Sequence, residues 1–114
     1  MKIAVVGSRD FNNYDLLKKE LSNFSDIECI ISGGARGADT LAKQYCIEKS
    51  IKMQEFLPEY NKYPSRVAPI KRNDTIVENC DMLIAFWNYK SAGTKYTIEK
   101  AQKMKKNIYI VRID

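Results

Sequence analysis

Five short apolar runs alternate with four stretches of helical periodicity from one end of the chain to the other, and that alternation leaves few folds open. "KIAVV" (2–6), "ECIIS" (28–32), "KMQEFL" (52–57), "MLIAF" (82–86) and "IYIVRI" (108–113) have strand length and β-rich content. Between them Tyr14, Leu17, Leu21 and Phe24 recur at helical spacing, as do Ala38, Leu41, Ala42, Tyr45 and Cys46. The pattern predicts a third helix from about Ser65 to Asn79, with Ser65 as N-cap and Pro69 in the first turns, and a fourth from about Thr94 to Lys106. Such an order predicts an α/β fold, a Rossmann-like open parallel five-stranded sheet with right-handed crossovers and helices on both faces. At 114 residues the chain has the size of one domain, able to bury roughly two-thirds of its unfolded surface. Residues 1–114 are therefore expected to form a single unit, with "PEYNKYPS" (58–65) as a lid or pocket wall.

The glycines choose among strand orders. All five (Gly7, Gly33, Gly34, Gly37 and Gly93) fall just past the C-terminal ends of the first, second and fourth runs. Turns from strand to helix use glycine for their own geometry, yet the turn after the third run has none. Open α/β sheets bind ligands beyond the carboxyl ends of their strands, where the strand order switches. In the order 3-2-1-4-5 the three glycine turns form one continuous rim, whereas in 2-1-3-4-5 the third strand would split it. The order 3-2-1-4-5 is thus expected, with the main pocket over the first and fourth strands, lined by Gly7, Gly34 and Gly93.

Composition removes whole classes of chemistry. With no histidine, a Ser-His-Asp triad, a Cys-His pair and an H-E-x-x-H zinc site are excluded. No metal or cofactor site is expected, since the cysteines are unpaired in spacing as well. Cys29, Cys46 and Cys80 are odd in number and lack a C-x-x-C pattern, which fits a reducing compartment. "MKIAVVGSRD" turns polar after six residues and no 18-residue apolar span follows, so a cytoplasmic protein without a membrane partner is expected. A formal charge of +5 points modestly to anionic partners, although Lys95, Lys100, Lys103, Lys105 and Lys106 also suit the end of a last helix.

"GSRDF" (7–11) is not a G-x-G-x-x-G dinucleotide fingerprint, and no G-x-x-x-x-G-K-[ST] stretch occurs. What remains are glycine amides near helix N-termini, flanked by Arg9 and Arg36, with Ser8 and Ser32 as further donors. Amides, a helix dipole and a guanidinium are what a phosphate or pyrophosphate needs. Gly93 and Thr94 open the last helix, so a second glycine–hydroxyl turn can face the same ligand. Trp87 and Tyr89 offer flat surfaces for a base, or ordinary packing at the sheet edge. Asp39 complements the dipole of the second helix or serves as an acid.

"GSRDF", "SGGARGAD" (32–39), "IKRNDTIVENCDMLIAFW" and "KSAGTKYTIEKA" occur in this order over nearly the whole chain. Together they resemble the YspA or YpsA-related branch of the SLOG superfamily, whose Rossmann-like domains include the LONELY GUY phosphoribohydrolases and the DNA-processing protein A group. The resemblance implies a pocket for nucleotide-derived ligands such as ADP-ribose compounds. By motif it implies binding positions at Gly7, Ser8 and Arg9, at Ser32, Gly33, Gly34, Arg36 and Gly37, at Arg72 and Asn73, and at Ser91, Gly93 and Thr94. Two departures bear on mechanism. The phosphoribohydrolases carry P-G-G-x-G-T-x-x-E, whereas Tyr96 and Thr97 stand here where acids would follow, and Glu99 comes a helical turn too late. Asp-Gly is expected after the tryptophan in the nearer branch, and this chain has Asn88-Tyr89.

Three functions compete at this level. A binding domain could sense or sequester a nucleotide-derived molecule such as an ADP-ribose-type second messenger, acting as a stand-alone sensor or a sponge. A hydrolase could cleave an N-glycosidic or phosphate bond with Asp39, Glu99 or Glu59 as acid or base. A single-strand binder would use Trp87, Tyr89 and the lysine-rich last helix. The first is preferred, because no acid–base pair is evident: the expected partners are a nucleotide-derived small molecule, bound by Asp39 and Trp87 as well as the motif residues, and a second copy of the chain in a homodimer or higher homo-oligomer. Nucleic acid is not the expected partner.

Overall fold

A computed structural model describes residues 1–113. Its elements run β1 (Lys2–Gly7), α1 (Tyr14–Leu21), β2 (Cys29–Ser32), α2 (Ala38–Lys49), β3 (Lys52–Glu55), α3 (Ala68–Asn79), β4 (Met82–Trp87), α4 (Ala92–Lys103) and β5 (Asn107–Arg112). All four strand pairings are parallel, and the order is β3-β2-β1-β4-β5, as the glycine placement predicts.

The alternation inside β1 explains why the sheet is covered on both faces. Ile3 and Val5 point into a core with Leu17 and Leu21 of α1 and Ala42 and Tyr45 of α2. Ala4 and Val6 point the other way, to Ile76 and Val77 of α3 and Ile98 and Ala101 of α4. Side chains two residues apart share a face of a strand, so a strand apolar at every position demands two helical layers. β3, at one edge, is mostly exposed. Among the described residues no helix is long and apolar enough to cross a membrane.

Three helix boundaries differ from the sequence expectation. α3 starts at Ala68 rather than Ser65, because the Pro64 carbonyl accepts from the N–H groups of both Val67 and Ala68 and closes a turn first. Pro69 sits in the first turn of the helix, where its missing N–H leaves no bond unmade. α4 starts at Ala92 under a Ser91 N-cap whose hydroxyl accepts from Thr94 N–H. It stops at Lys103 rather than Lys106, since Lys105 turns left-handed (φ 57°). The Lys106 N–H then reaches back to the Ala101 carbonyl and that of Lys105 to Gln102, which satisfies the last carbonyls of the helix.

Candidate functional site

The carboxyl ends of β1, β2 and β4 meet in a set of three adjoining cavities that share one residue, Arg72. Over β1 and β4 lies a small one of about 120 Å³, walled by Gly7, Arg9, Ala35, Asp39, Arg72, Asn73, Ser91, Gly93 and Thr94 among others. Beside it a cavity of about 360 Å³ is walled by Arg9, Gly33, Gly34, Arg36, Arg72, Leu57, Pro58 and Tyr60, with no acidic residue among the described residues of its lining. A third, of about 440 Å³, lies between the end of β3 and α3 and is bordered by Glu55, Glu59, Asp74 and Glu78 as well as Lys71 and Arg72. The expected single pocket is thus divided. Gly7 and Gly93 line the small cavity, and Gly34 lines the arginine-rich one. The stretch 58–65 does form a wall, through Pro58, Tyr60, Glu59 and Tyr63.

Asp39 organises the "SGGARGAD" turn from within. Its Oδ2 accepts from the backbone N–H of Gly33 (3.2 Å) and of Ala35 (3.0 Å). The Gly33 amide that the sequence offers to a phosphate, and the Ala35 amide beside it, are therefore already bound to an internal carboxylate. Burial drives the Asp39 carboxyl up from 3.8 to about 6, against the opposing pull of the Ala35 amide, the Arg72 charge and the Gly33 amide. Arg72 reaches the same turn from α3. Its Nη1 donates to the Gly33 carbonyl (2.6 Å) and its Nε to Asn73 Oδ1 (2.9 Å). Gly33 is thereby held by an acid at its N–H and a base at its carbonyl, and a Cβ there would come within 2.7 Å of Arg72 Cζ. Burial lowers the Arg72 pKa, with Arg9 pushing the same way and Asp39 opposing. Arg9 and Arg72 therefore repel across the cavity, a stress that a bound anion would relieve.

The other expected residues divide into two groups. Arg9, Arg36, Asn73, Ser91, Gly93 and Thr94 reach a cavity wall. Ser8, Ser32, Gly37 and Trp87 are absent from all three walls and serve the scaffold. Ser8 donates its N–H to the Phe86 carbonyl (3.1 Å) and accepts from Asn88 N–H (3.3 Å), tying the loop after β1 to the loop after β4. Ser32 is fully buried, and Gly37 is the N-cap of α2. Trp87 stacks on Tyr89 (4.3 Å between centroids, 26° between planes) and donates Nε1–H to the Ser91 carbonyl (3.1 Å). Tyr89 also lies under Arg112 and takes a left-handed φ of 63°. Of the candidate acids, Asp39 lines the small cavity, Glu59 the large one and Glu99 none of the three. Leu57 and Tyr60 were not singled out by the sequence: Leu57 closed the expected third strand run (52–57), whose strand ends at Glu55, and for Tyr60 the irregular stretch 58–65 was the available signal. Among the described residues no group of His, Cys, Asp or Glu could hold a metal ion.

Gly93 is the glycine that internal packing does not explain. Its φ is not positive, and a Cβ built there meets nothing within 4 Å. Gly93→Ala is expected to leave the free protein as stable or up to about 1 kcal/mol more stable in thermal unfolding. The same methyl protrudes into the wall of the small cavity and weakens a ligand seated there by about tenfold. A loss of stability without a binding defect would show that Gly93 answers to the fold alone.

Known proteins place this arrangement. No curated protein matches the chain. The X-ray structure of DNA processing protein A (DprA) from Streptococcus pneumoniae matches with a TM-score of 0.84 and 22% sequence identity, over 99% of this chain and 50% of that one. The chain spans half the length of that neighbour, and the likeness is one of fold. The family model for the YspA, cpYpsA-related SLOG proteins matches residues 1–63, the segment that carries β1, the "GSRDF" loop, β2 and the Asp39-centred glycine turn. With more than half of the sequence matched and the Rossmann-like sheet in place, the chain belongs to the YspA, cpYpsA-related SLOG family.

Proposed function

We propose that residues 1–114 form a cytoplasmic ligand-binding domain that senses or sequesters a nucleotide-derived, phosphate-containing molecule of the ADP-ribose type without turning it over. One observation carries the reading: Arg9, Arg36 and Arg72 line a 360 Å³ cavity that no carboxylate lines among the described residues. Three guanidiniums at the carboxyl ends of parallel strands, of which Arg72 alone has a nearby carboxylate named among its influences, Asp39, suit a phosphate or pyrophosphate. Binding without turnover is supported by the two positions that bear acids in the phosphoribohydrolases. Here the Tyr96 hydroxyl donates to Asp74 (2.7 Å) and the Thr97 hydroxyl donates to the Gly93 carbonyl (2.9 Å). Proton transfer typically supplies about 10²–10⁴-fold of rate, and neither side chain is placed to supply it.

Calorimetric titration with ADP-ribose, followed by chromatography of the recovered ligand, tests the reading. Arg36→Ala is expected to weaken binding by about 1.5–3 kcal/mol and to leave the thermal midpoint of the free protein unchanged, because Arg36 is exposed. Lys103→Ala is expected to do neither. Equal losses from both would mean diffuse charge attraction in place of a formed site. A hydrolase reading draws on Asp39, an acid in the wall of the small cavity whose carboxyl burial pushes up to about 6. Free base or ribose 5-phosphate released over many turnovers, and abolished by Asp39→Asn, would replace the binding reading with that one. The name of the structural neighbour suggests DNA. Steeply salt-dependent binding to oligonucleotides, with no saturable binding of ADP-ribose, would favour it.

A further inference from the structure

A nucleotide needs a surface for its base as well as an anion site, and the aromatic pair nearest the family motifs is already engaged. Trp87 and Tyr89 cover one another, Trp87 Nε1–H is bound to the Ser91 carbonyl, and Arg112 lies over the Tyr89 ring. The arginine-lined cavity has a different apolar side, made of Leu57, Pro58, Tyr60 and Pro69. Leu57 is 62% exposed and Tyr60 is 60% exposed. A single exposed apolar side chain is ordinary; two of them lining one cavity with three arginines make the mixed lining that an amphipathic ligand requires.

The wall is also held at a set distance from the turn. A Cβ at Gly34 would come within 2.6 Å of Leu57 Cδ2 and 2.7 Å of Glu55 Oε2, so the end of β3 and the loop after it pack directly against the glycine turn through the space a side chain would fill. Electrostatics then sets the ligand's orientation. On one side of this loop the cavity is lined by arginines, and on the other by Glu55, Glu59, Asp74 and Glu78. The second cavity sets four carboxylates against Lys71 and Arg72 and the first sets three arginines against none, so a phosphate is drawn to the first, leaving its apolar wall for whatever the phosphate carries.

We infer that Tyr60, backed by Leu57, is the stacking surface for an aromatic base whose phosphate lies among Arg9, Arg36 and Arg72. The inference rests on the binding reading above and adds to it that the ligand class is a base-bearing phosphate, with its base against the loop between β3 and α3 and away from Trp87. Tyr60 lines the cavity together with Arg72, so the ring and the guanidinium act on one ligand.

The full-length chain, titrated calorimetrically with ADP-ribose, AMP and ribose 5-phosphate, separates the two levels of argument. The adenine-bearing probes are expected to bind roughly five- to a hundredfold more tightly than ribose 5-phosphate. Tyr60→Ala removes that advantage and leaves ribose 5-phosphate binding unchanged, while Tyr60→Phe retains it. Tyr89→Ala has no effect on either. Because Tyr60 is largely exposed, unchanged thermal midpoints are expected for both of its variants. Equal affinity for AMP and ribose 5-phosphate, or full affinity in Tyr60→Ala, overturns the stacking surface while leaving the anion site standing. Failure of every probe to bind overturns both.

Discussion

Replacing Gly37 with alanine is expected to lower the free energy of unfolding by about 3 kcal/mol or more, a loss readable in urea denaturation. Gly37 has φ 80° and ψ −126°, a conformation that side chains bearing a Cβ rarely adopt. Space is lacking too. A Cβ there would run into the Ser8 carbonyl oxygen and come within 2.9 Å of Arg9 Cα. That backbone cannot retreat cheaply, since Ser8 N–H is bound to Phe86, its hydroxyl to Asn88 N–H and its carbonyl to Phe11 N–H. The close approach of the two turns is what brings Arg9 beside Arg36 and Arg72, so Gly37→Ala is also expected to weaken anion binding. A loss below 1 kcal/mol would mean that the two loops separate freely and that their contact does not define the cavity.

The second large effect is one of pH. Unfolded, the Asp39 carboxyl titrates near 3.8, and folded it titrates near 6 because burial penalises its charge. The folded state therefore holds this proton over a pH range in which the unfolded state has released it. Stability from this group is fully present below about pH 4 and is lost as the pH rises through 6. Two units correspond to about 3 kcal/mol, an upper figure because the cavity admits some water. Asp39→Asn keeps an oxygen for the Gly33 and Ala35 amides and abolishes the buried charge. Relative to the parent, the variant is expected to gain stability progressively from pH 4 to pH 7 and to level off above. Parallel stability profiles in urea for the two proteins would show that Asp39 is ionised at no cost, with its amides and Arg72 offsetting burial entirely. Glu55, which raises the Asp39 pKa, sits at the end of β3; removing its charge should narrow the window.

What the sequence determined by itself is the part of the molecule governed by short-range chemistry. Strand-length apolar runs between helical periodicities specify the five strands and four helices, because side-chain period and turn residues act within a few positions. The placement of every glycine beyond β1, β2 or β4 specifies the strand order, since those turns form a common rim in one order and not in the other. The sequence likewise marks Arg9 and Arg36 as anion-binding candidates, and the family resemblance adds Arg72. Which of its candidates face a cavity was decided only by tertiary structure. Arg72 meets Gly33 across 39 residues, and no local pattern records that contact. Asp39 turns inward onto the amides of its own loop, Ser8 and Ser32 are spent on the scaffold, and Trp87 is paired with Tyr89. Tyr60 becomes part of the wall because the loop after β3 folds over Gly34. Each outcome depends on where a side chain finds its partner in space: burial without a partner costs more than one loop conformation is worth, so packing between distant segments overrides the local preference.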